Sequence, residues 1–204
     1  MTRKKMRVMT AGEGPSEEYR RALALVSGRP HHASRVAALR LLRAAVVKGD
    51  RFAIYALGTW YLHGVTVPRD PTRGARLLAR AARAGVSNAQ FDIAVCYERG
   101  VGRTKNERLA FRWYLRAAEN GDRQAAEEVA RCLYWGLGVR RDLPSAAAWY
   151  RRAARHGSAD ASYALARLYE RGEGVRARPA LAARWYARAR VLSKRNGPKG
   201  ANRT

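Results

Sequence analysis

Cysteine is nearly absent from this chain: 204 residues contain two, Cys96 and Cys132. Two thiols cannot complete a zinc site unaided. Long apolar runs are also missing. No early run reaches the roughly 7 to 15 residues of a secretory core, and none approaches the roughly 20 that cross a bilayer, so neither a signal peptide nor a membrane span is expected, and a cytoplasmic location is. The basic start, Arg3, Lys4, Lys5 and Arg7, is soon followed by Glu13, Glu17 and Glu18, unlike an import segment. Histidine is sparse and scattered. His63 and His156 end helical stretches, where a partly positive ring suits the helix dipole, and His31-His32 has no Cys or paired acid nearby. No Ser, Cys or carboxylate recurs beside a partner that would make it a nucleophile or general base. The sequence therefore predicts no catalytic residue, no metal and no cofactor. Acidic residues are scarce too, 16 against 41 basic ones, for a net charge of +25.

What the chain does have is a period. Gly49, Gly85, Gly121 and Gly157 are 36 residues apart, as are Gly64, Gly100, Gly136 and Gly172. The same shift aligns Ala45, Ala81, Ala117, Ala153 and Ala189, then Ala53, Ala89, Ala125 and Ala161, then Trp113-Tyr114, Trp149-Tyr150 and Trp185-Tyr186. Fixed self-similarity at this length marks a stacked array. A unit of this size holds two short helices and two turns. Phe111, Trp113, Tyr114, Ala117 and Ala118 share one arc of a helix from about Leu109 to Asn120. Ala125, Val129, Cys132 and Leu133 recur at helical spacing from about Asp122 to Trp135. The glycines fall just past the helices and read as left-handed C-caps. Gly-Val-Gly at 100–102 and Gly-Leu-Gly at 136–138 follow no strand and recur as turns, so they are not nucleotide loops. The alanines let helices approach closely, and stacking supplies the core that one pair lacks. Cys96 and Cys132 occupy equivalent places in successive units, at least a helix-packing distance apart, which is too far for a disulfide. They read as buried thiols.

The period organises the chain into a basic flexible segment (1–15), one solenoid (16–190) and a basic flexible tail (191–204). Within the solenoid, 16–28 is a divergent half unit linked through Arg29 to His32, four full units occupy about 37–178, and 179–190 adds a final half unit. Ala-Trp-Tyr-Arg-Arg-Ala-Ala-x-x-Gly at Ala148 to Gly157, followed by Ala161, Leu165, Tyr169 and Gly-Glu-Gly-Val at Gly172 to Val175, resembles the SEL-one-like repeat (SLR) family. That resemblance covers about three quarters of the chain. It implies an all-α fold, a right-handed α/α superhelical solenoid of 36-residue helix-turn-helix repeats related to tetratricopeptide repeats, whose members mostly act as adaptors or scaffolds. Leu41-Leu42 and Leu77-Leu78 replace Trp-Tyr, and Thr66 and Thr104 interrupt the turn region, so the first two units should be looser.

The charge has a pattern of its own. Arginine outnumbers lysine 35 to 6; a G- and C-rich genome accounts for that preference but not for the scarcity of acids. Arg80, Arg116, Arg152 and Arg188 align at the period, and Arg40, Arg76, Arg112 and Arg184 lie one turn earlier, all opposite the apolar arc. The resemblance implies that first helices line the concave surface, which would place Arg76, Arg80, Arg112, Arg116, Arg152, Arg184 and Arg188 along a groove. Tyr134 and Trp135 stand where neighbouring units have Glu98-Arg99 and Glu170-Arg171, which makes them either a partner anchor or a compensation for Glu127, which replaces an aromatic. The expected function is a non-enzymatic scaffold that holds an acidic protein or peptide segment in this arginine-lined groove. The alternative is a nucleic-acid-binding protein that neutralises the phosphate backbone.

Overall fold

The computed structural model describes residues 14–28 and 31–196. The expected basic N-terminal segment lies outside the described residues except for Gly14 and Pro15. Among the described residues there are ten helices and no strand: α1 Glu17–Val26, α2 His32–Val47, α3 Arg51–His63, α4 Pro71–Arg83, α5 Ser87–Arg99, α6 Glu107–Glu119, α7 Arg123–Trp135, α8 Leu143–Arg155, α9 Ala159–Arg171 and α10 Pro179–Asn196. The fold is an all-α solenoid class built from helix-turn-helix repeats, as the period requires. The chain divides into two compact units, Met1–Val86 and Ser87–Thr204.

Helix starts follow from the sequence. Asp70, Asn106 and Asp142 cap α4, α6 and α8 by accepting from the backbone N–H three residues on, at 2.9, 2.9 and 3.0 Å. Asp50, Asp122 and Ser158 do the same for α3, α7 and α9. Each cap satisfies an otherwise orphan donor. Helix ends follow as well, since Gly64, Gly136 and Gly172 take left-handed conformations as C-caps.

The alanine series form the centre of the packing. Ala45, Ala81 and Ala117 on α2, α4 and α6, and Ala53, Ala89, Ala125 and Ala161 on α3, α5, α7 and α9, have no exposed surface. In the second unit Ala117, Ala125 and Ala161 belong to one core with Tyr114, Val129, Cys132, Leu165 and Leu168. In the first unit two smaller clusters form, one around Ala38 and Leu42, the other around Leu57, Tyr61 and Val67. Leu42 and Leu78 fill the places that Tyr114 and Tyr150 hold later.

The packing corrects the expected phase of the repeat. Helices meet most extensively as α1 with α2, α3 with α4, α5 with α6, α7 with α8 and α9 with α10, and less so across the short glycine turns α2–α3, α6–α7 and α8–α9. The longer turn therefore closes the tight pair. Its closure repeats: Asn106, Asp142 and Arg178 N–H donate back to the Tyr97, Leu133 and Tyr169 carbonyls at 2.8, 2.9 and 2.8 Å. Two boundaries also move. The first full repeat helix begins at His32, which the sequence put in a linker, because the Ala38 and Leu42 stripe extends back one more turn. The last helix continues to Asn196, six residues into the expected tail, and the rest of that tail lies outside the described residues.

The second glycine of each long turn is a packing requirement. Gly138 and Gly174 sit at φ +67° and +69°, where a β-carbon would overlap the backbone of Glu107 and Leu143, at the starts of α6 and α8. Thr66 is their counterpart in the first unit. It adopts φ +61°, the one positive value outside glycine among the described residues, with its hydroxyl buried and unpaired. Gly174→Ala is expected to lower stability by about 2 kcal/mol, whereas Thr66→Gly raises it by about 1 kcal/mol by releasing backbone strain. Urea unfolding followed by circular dichroism measures both.

Candidate functional site

The second helices α6, α8 and α10 carry a tyrosine at the same place of the period, Tyr114, Tyr150 and Tyr186, and a phenol turned toward the packing needs an acceptor for its hydroxyl. The α5/α6 pair supplies one: the Tyr114 hydroxyl donates to Glu98 at 2.8 Å. Arg131 on α7 bridges the same carboxylate and Glu128. Partial burial would lift the Glu98 carboxyl, but the bonds from Tyr114 and Arg131 outweigh it and hold the group below its ordinary range. The α9/α10 pair repeats the latch, Tyr186 donating to Glu170 at 2.9 Å.

The pair between them, α7/α8, lacks the latch because Tyr134 stands in place of the glutamate. Tyr134 turns its own hydroxyl to Glu173, at 2.8 Å. Tyr150, the counterpart of Tyr114 and Tyr186, therefore makes no hydrogen bond within the described residues. Burial pushes its phenol up to about 12, so at neutral pH it remains a donor. A cavity of about 170 Å³ opens beside it, lined by Tyr134, Trp135, Tyr150, Ala164, Arg167 and Leu168. Trp135 is 66% exposed at its mouth and meets the Tyr134 ring edge-on, at 4.8 Å between centroids. Arg141 stacks on the other side of Tyr134 at 5.8 Å and donates to its carbonyl. The Arg167 guanidinium has no ion pair or hydrogen bond within the described residues. One apolar wall, one phenolic donor and one unpaired cation thus converge on a small pocket between α7 and α9.

The expected compensation for Glu127 has another form. Glu127 accepts from the Ser158 hydroxyl at 2.6 Å, and burial raises its carboxyl above the ordinary range.

The arginine rows are exposed, as the helical wheel predicts, but none of them lines the pocket beside Trp135. Arg76 and Arg80 lie on α4 in the first unit. In the second, Arg112 and Arg116 lie on α6, Arg152 on α8, and Arg184 and Arg188 on α10. Arg152 is about 200° around α8 from Tyr150 at 3.6 residues per turn, so the row and the pocket occupy different faces. Part of the row has a structural task. Arg152 donates to the Ala118 carbonyl at 2.8 Å and Arg188 to the Ala154 carbonyl at 3.4 Å, each satisfying the C-terminus of the preceding parallel helix. Arg116, Arg152 and Arg188 also lie over the rings of Trp113, Trp149 and Trp185, at 5.0, 4.9 and 5.8 Å. The helical wheel gave the direction of these side chains, but nothing local could reveal an acceptor 34 residues away.

Cys96 and Cys132 are free, buried thiols, pushed by burial up to about 11 and about 12. Among the described residues no group of three or more His, Cys, Asp or Glu gathers as a metal site would require, and no helix is long and apolar enough to cross a membrane.

The Sel1 repeat family model matches residues 51–86, 87–122, 123–158 and 159–190. Among solved structures, a protective antigen present in uropathogenic Escherichia coli strains, displaying an SLR fold, is similar with a TM-score of 0.81 at 27% identity, over 86% of this chain and 38% of that one. A Sel1 repeat protein from Oxalobacter formigenes is similar with a TM-score of 0.69 at 28% identity, over 76% of this chain and 64% of that one. The present chain thus spans well under half of the first relative and under two thirds of the second. An immunity protein from Pseudomonas aeruginosa shares the fold at 22% identity and a TM-score of 0.50, over 89% of this chain and 69% of that one. No curated protein matches the chain by sequence.

The matched units begin at α3, α5, α7 and α9, in agreement with the tight pairs. The arginine-bearing helices α4, α6, α8 and α10 are therefore the second helices of the matched units. The pocket residues Trp135 and Arg167 are the ones carried by first helices. The row itself separates experimentally into bonded and unbonded members. Arg152→Ala should lower stability by about 1 kcal/mol, the net value of a hydrogen bond, while Arg112→Ala leaves the melting temperature within about 1 °C; paired thermal melts decide it.

Proposed function

This chain belongs to the Sel1 repeat family, and on that premise we propose that it is a non-enzymatic interaction scaffold that seats an acidic protein segment at the pocket between α7 and α9. Sel1 repeat proteins are generally protein-interaction scaffolds. The observation that carries the finer reading is the exposed Trp135 beside an unpaired Arg167 and the free hydroxyl of Tyr150. Two donors and an indole platform suit a segment that presents a carboxylate next to an apolar side chain. A charge-assisted hydrogen bond to Arg167 sets orientation, and the indole supplies area of the kind found at interface hot spots. The net charge of +25 favours an acidic partner. In this reading the arginine rows Arg76, Arg80, Arg112, Arg116, Arg152, Arg184 and Arg188 act mainly through their field, raising the association rate of an acidic segment. Phosphate-backbone binding would need the rows alone and would leave the pocket without a role.

Fluorescence anisotropy with acidic peptides carrying one Leu or Phe separates these outcomes. Trp135→Ala should weaken binding about 30-fold, the effect of a 2 kcal/mol hot spot, and Tyr150→Phe about fivefold, with melting temperatures unchanged for the first. Arg167→Glu should abolish binding. Reversal of Arg112, Arg116 and Arg152 to Glu should slow association and leave dissociation nearly unchanged. Full binding by Trp135→Ala, with loss only in the row variant, would overturn the pocket reading. Binding of single-stranded DNA as tight as that of the peptide, at about 150 mM salt where charges are screened beyond roughly 8 Å, would favour the nucleic-acid reading instead.

A further inference from the structure

A second cavity, of about 550 Å³, lies where the end of α8 meets the start of α7 and the outer part of α10. Arg123, Arg155, His156, Arg188 and Arg195 line it together with Gly157 and Leu192, and no acidic residue does. Arg188 is engaged by the Ala154 carbonyl. The other three guanidiniums form no ion pair or hydrogen bond within the described residues.

The obvious structural explanation is that cations suit the carbonyl end of α8. It covers Arg155 and His156, which terminate that helix. Arg188 already satisfies a terminal carbonyl, and Arg195 belongs to α10. The period supplies an internal control. One unit earlier, Ser87 stands for Arg123, Glu119 for Arg155 and Asn120 for His156, so the fold does not require a basic cluster at this place. Two units earlier Arg51 stands for Arg123, and there it donates to the Ala84 carbonyl and lies over Phe52. Arg123 has no such bond.

We propose that this cavity is a binding site for a phosphoryl or pyrophosphoryl group, held by Arg123, Arg155 and Arg195 with His156 as a fourth donor. A carboxylate has two oxygens and one charge, too few for three planar guanidinium forks. A phosphoryl group offers three acceptor oxygens and close to two charges, and arginine meets such oxygens in pairs. The volume lies within the range of small-ligand sites. The site is on a different part of the second unit from the Trp135 pocket and does not depend on it. The same chemistry has two sources, a free pyrophosphoryl compound or a phosphorylated residue of a protein partner.

Isothermal titration of the full chain at about 150 mM salt tests this, with pyrophosphate, a phosphoserine peptide and its unphosphorylated form as probes. Saturable binding of pyrophosphate or of the phosphopeptide is expected. It should weaken at least about 30-fold in Arg123→Gln/Arg195→Gln, which leaves the end of α8 untouched. The exposed pair Arg140→Gln/Arg176→Gln, of equal charge, should change it less than about threefold. Tighter binding of pyrophosphate than of the phosphopeptide identifies the free compound as the source, and the reverse order identifies the partner residue. Absence of saturable binding to either probe, equal losses in the two double variants, or equal affinity for the unphosphorylated peptide would overturn the proposal. A thermal melt of each variant separates loss of binding from loss of fold.

Discussion

Ala45, Ala81 and Ala117 on one helix of the period and Ala53, Ala89, Ala125 and Ala161 on the other bury their only side-chain carbon completely. Such contacts bring two helix backbones close along the line where they meet, which leaves the larger side chains no room between them and pushes these to the flanks. Tyr114 and Tyr150 reach the interior from there, one fully buried and one nearly so. A phenol in that place needs an acceptor. The acceptor comes from the paired helix sixteen residues earlier, as Glu98 and Glu170 show for Tyr114 and Tyr186. Where the tyrosine is replaced by Leu78, the glutamate is replaced by Leu62. The one pair that keeps the tyrosine without the glutamate is α7/α8, and there the cavity opens.

The basic excess divides along similar lines. Some arginines are part of the construction: Arg152 and Arg188 close carbonyls of the neighbouring parallel helix while covering a tryptophan. Arg131 on α7 joins Glu128 of its own helix to Glu98 of α5. With 16 acidic residues against 41 basic ones, most guanidiniums cannot find a carboxylate at all. For some, backbone carbonyls and aromatic faces take its place. Arg123, Arg155, Arg167 and Arg195 have none of these protein partners, and each lines a cavity.

Most of the fold was legible because the signals were local and repeated. The alanine series marked the close approaches, the glycine series the turns, and Asp122 the start of α7. Phase was not legible, since a period has no origin: the sequence reads equally well cut before α6 or before α7, and only the relative extent of packing distinguishes them. The site was legible in part. Tyr134 and Trp135 stood out against Glu98-Arg99 and Glu170-Arg171, but whether an indole turns inward depends on the space around it. The partner of Glu127, for its part, is Ser158, thirty-one residues away. The arginine row and the aromatics could be grouped in sequence because a helical wheel has no knowledge of which side of the stack each helix presents. Cys96 and Cys132 were readable from spacing alone, as both proved to be free and buried.

The Tyr134 replacement also says something about how such an array tolerates change. In a chain where each helix meets mainly its neighbours, the loss of one hydroxyl acceptor is felt by one pair and its adjacent turn, here through Glu173, while the latches on either side keep their geometry. A globular core would spread the same disturbance through every residue it touched. Repeats of this kind therefore hold spare copies of their own stabilising contacts, and a single copy can drift into a recognition surface while its siblings preserve the register of the stack.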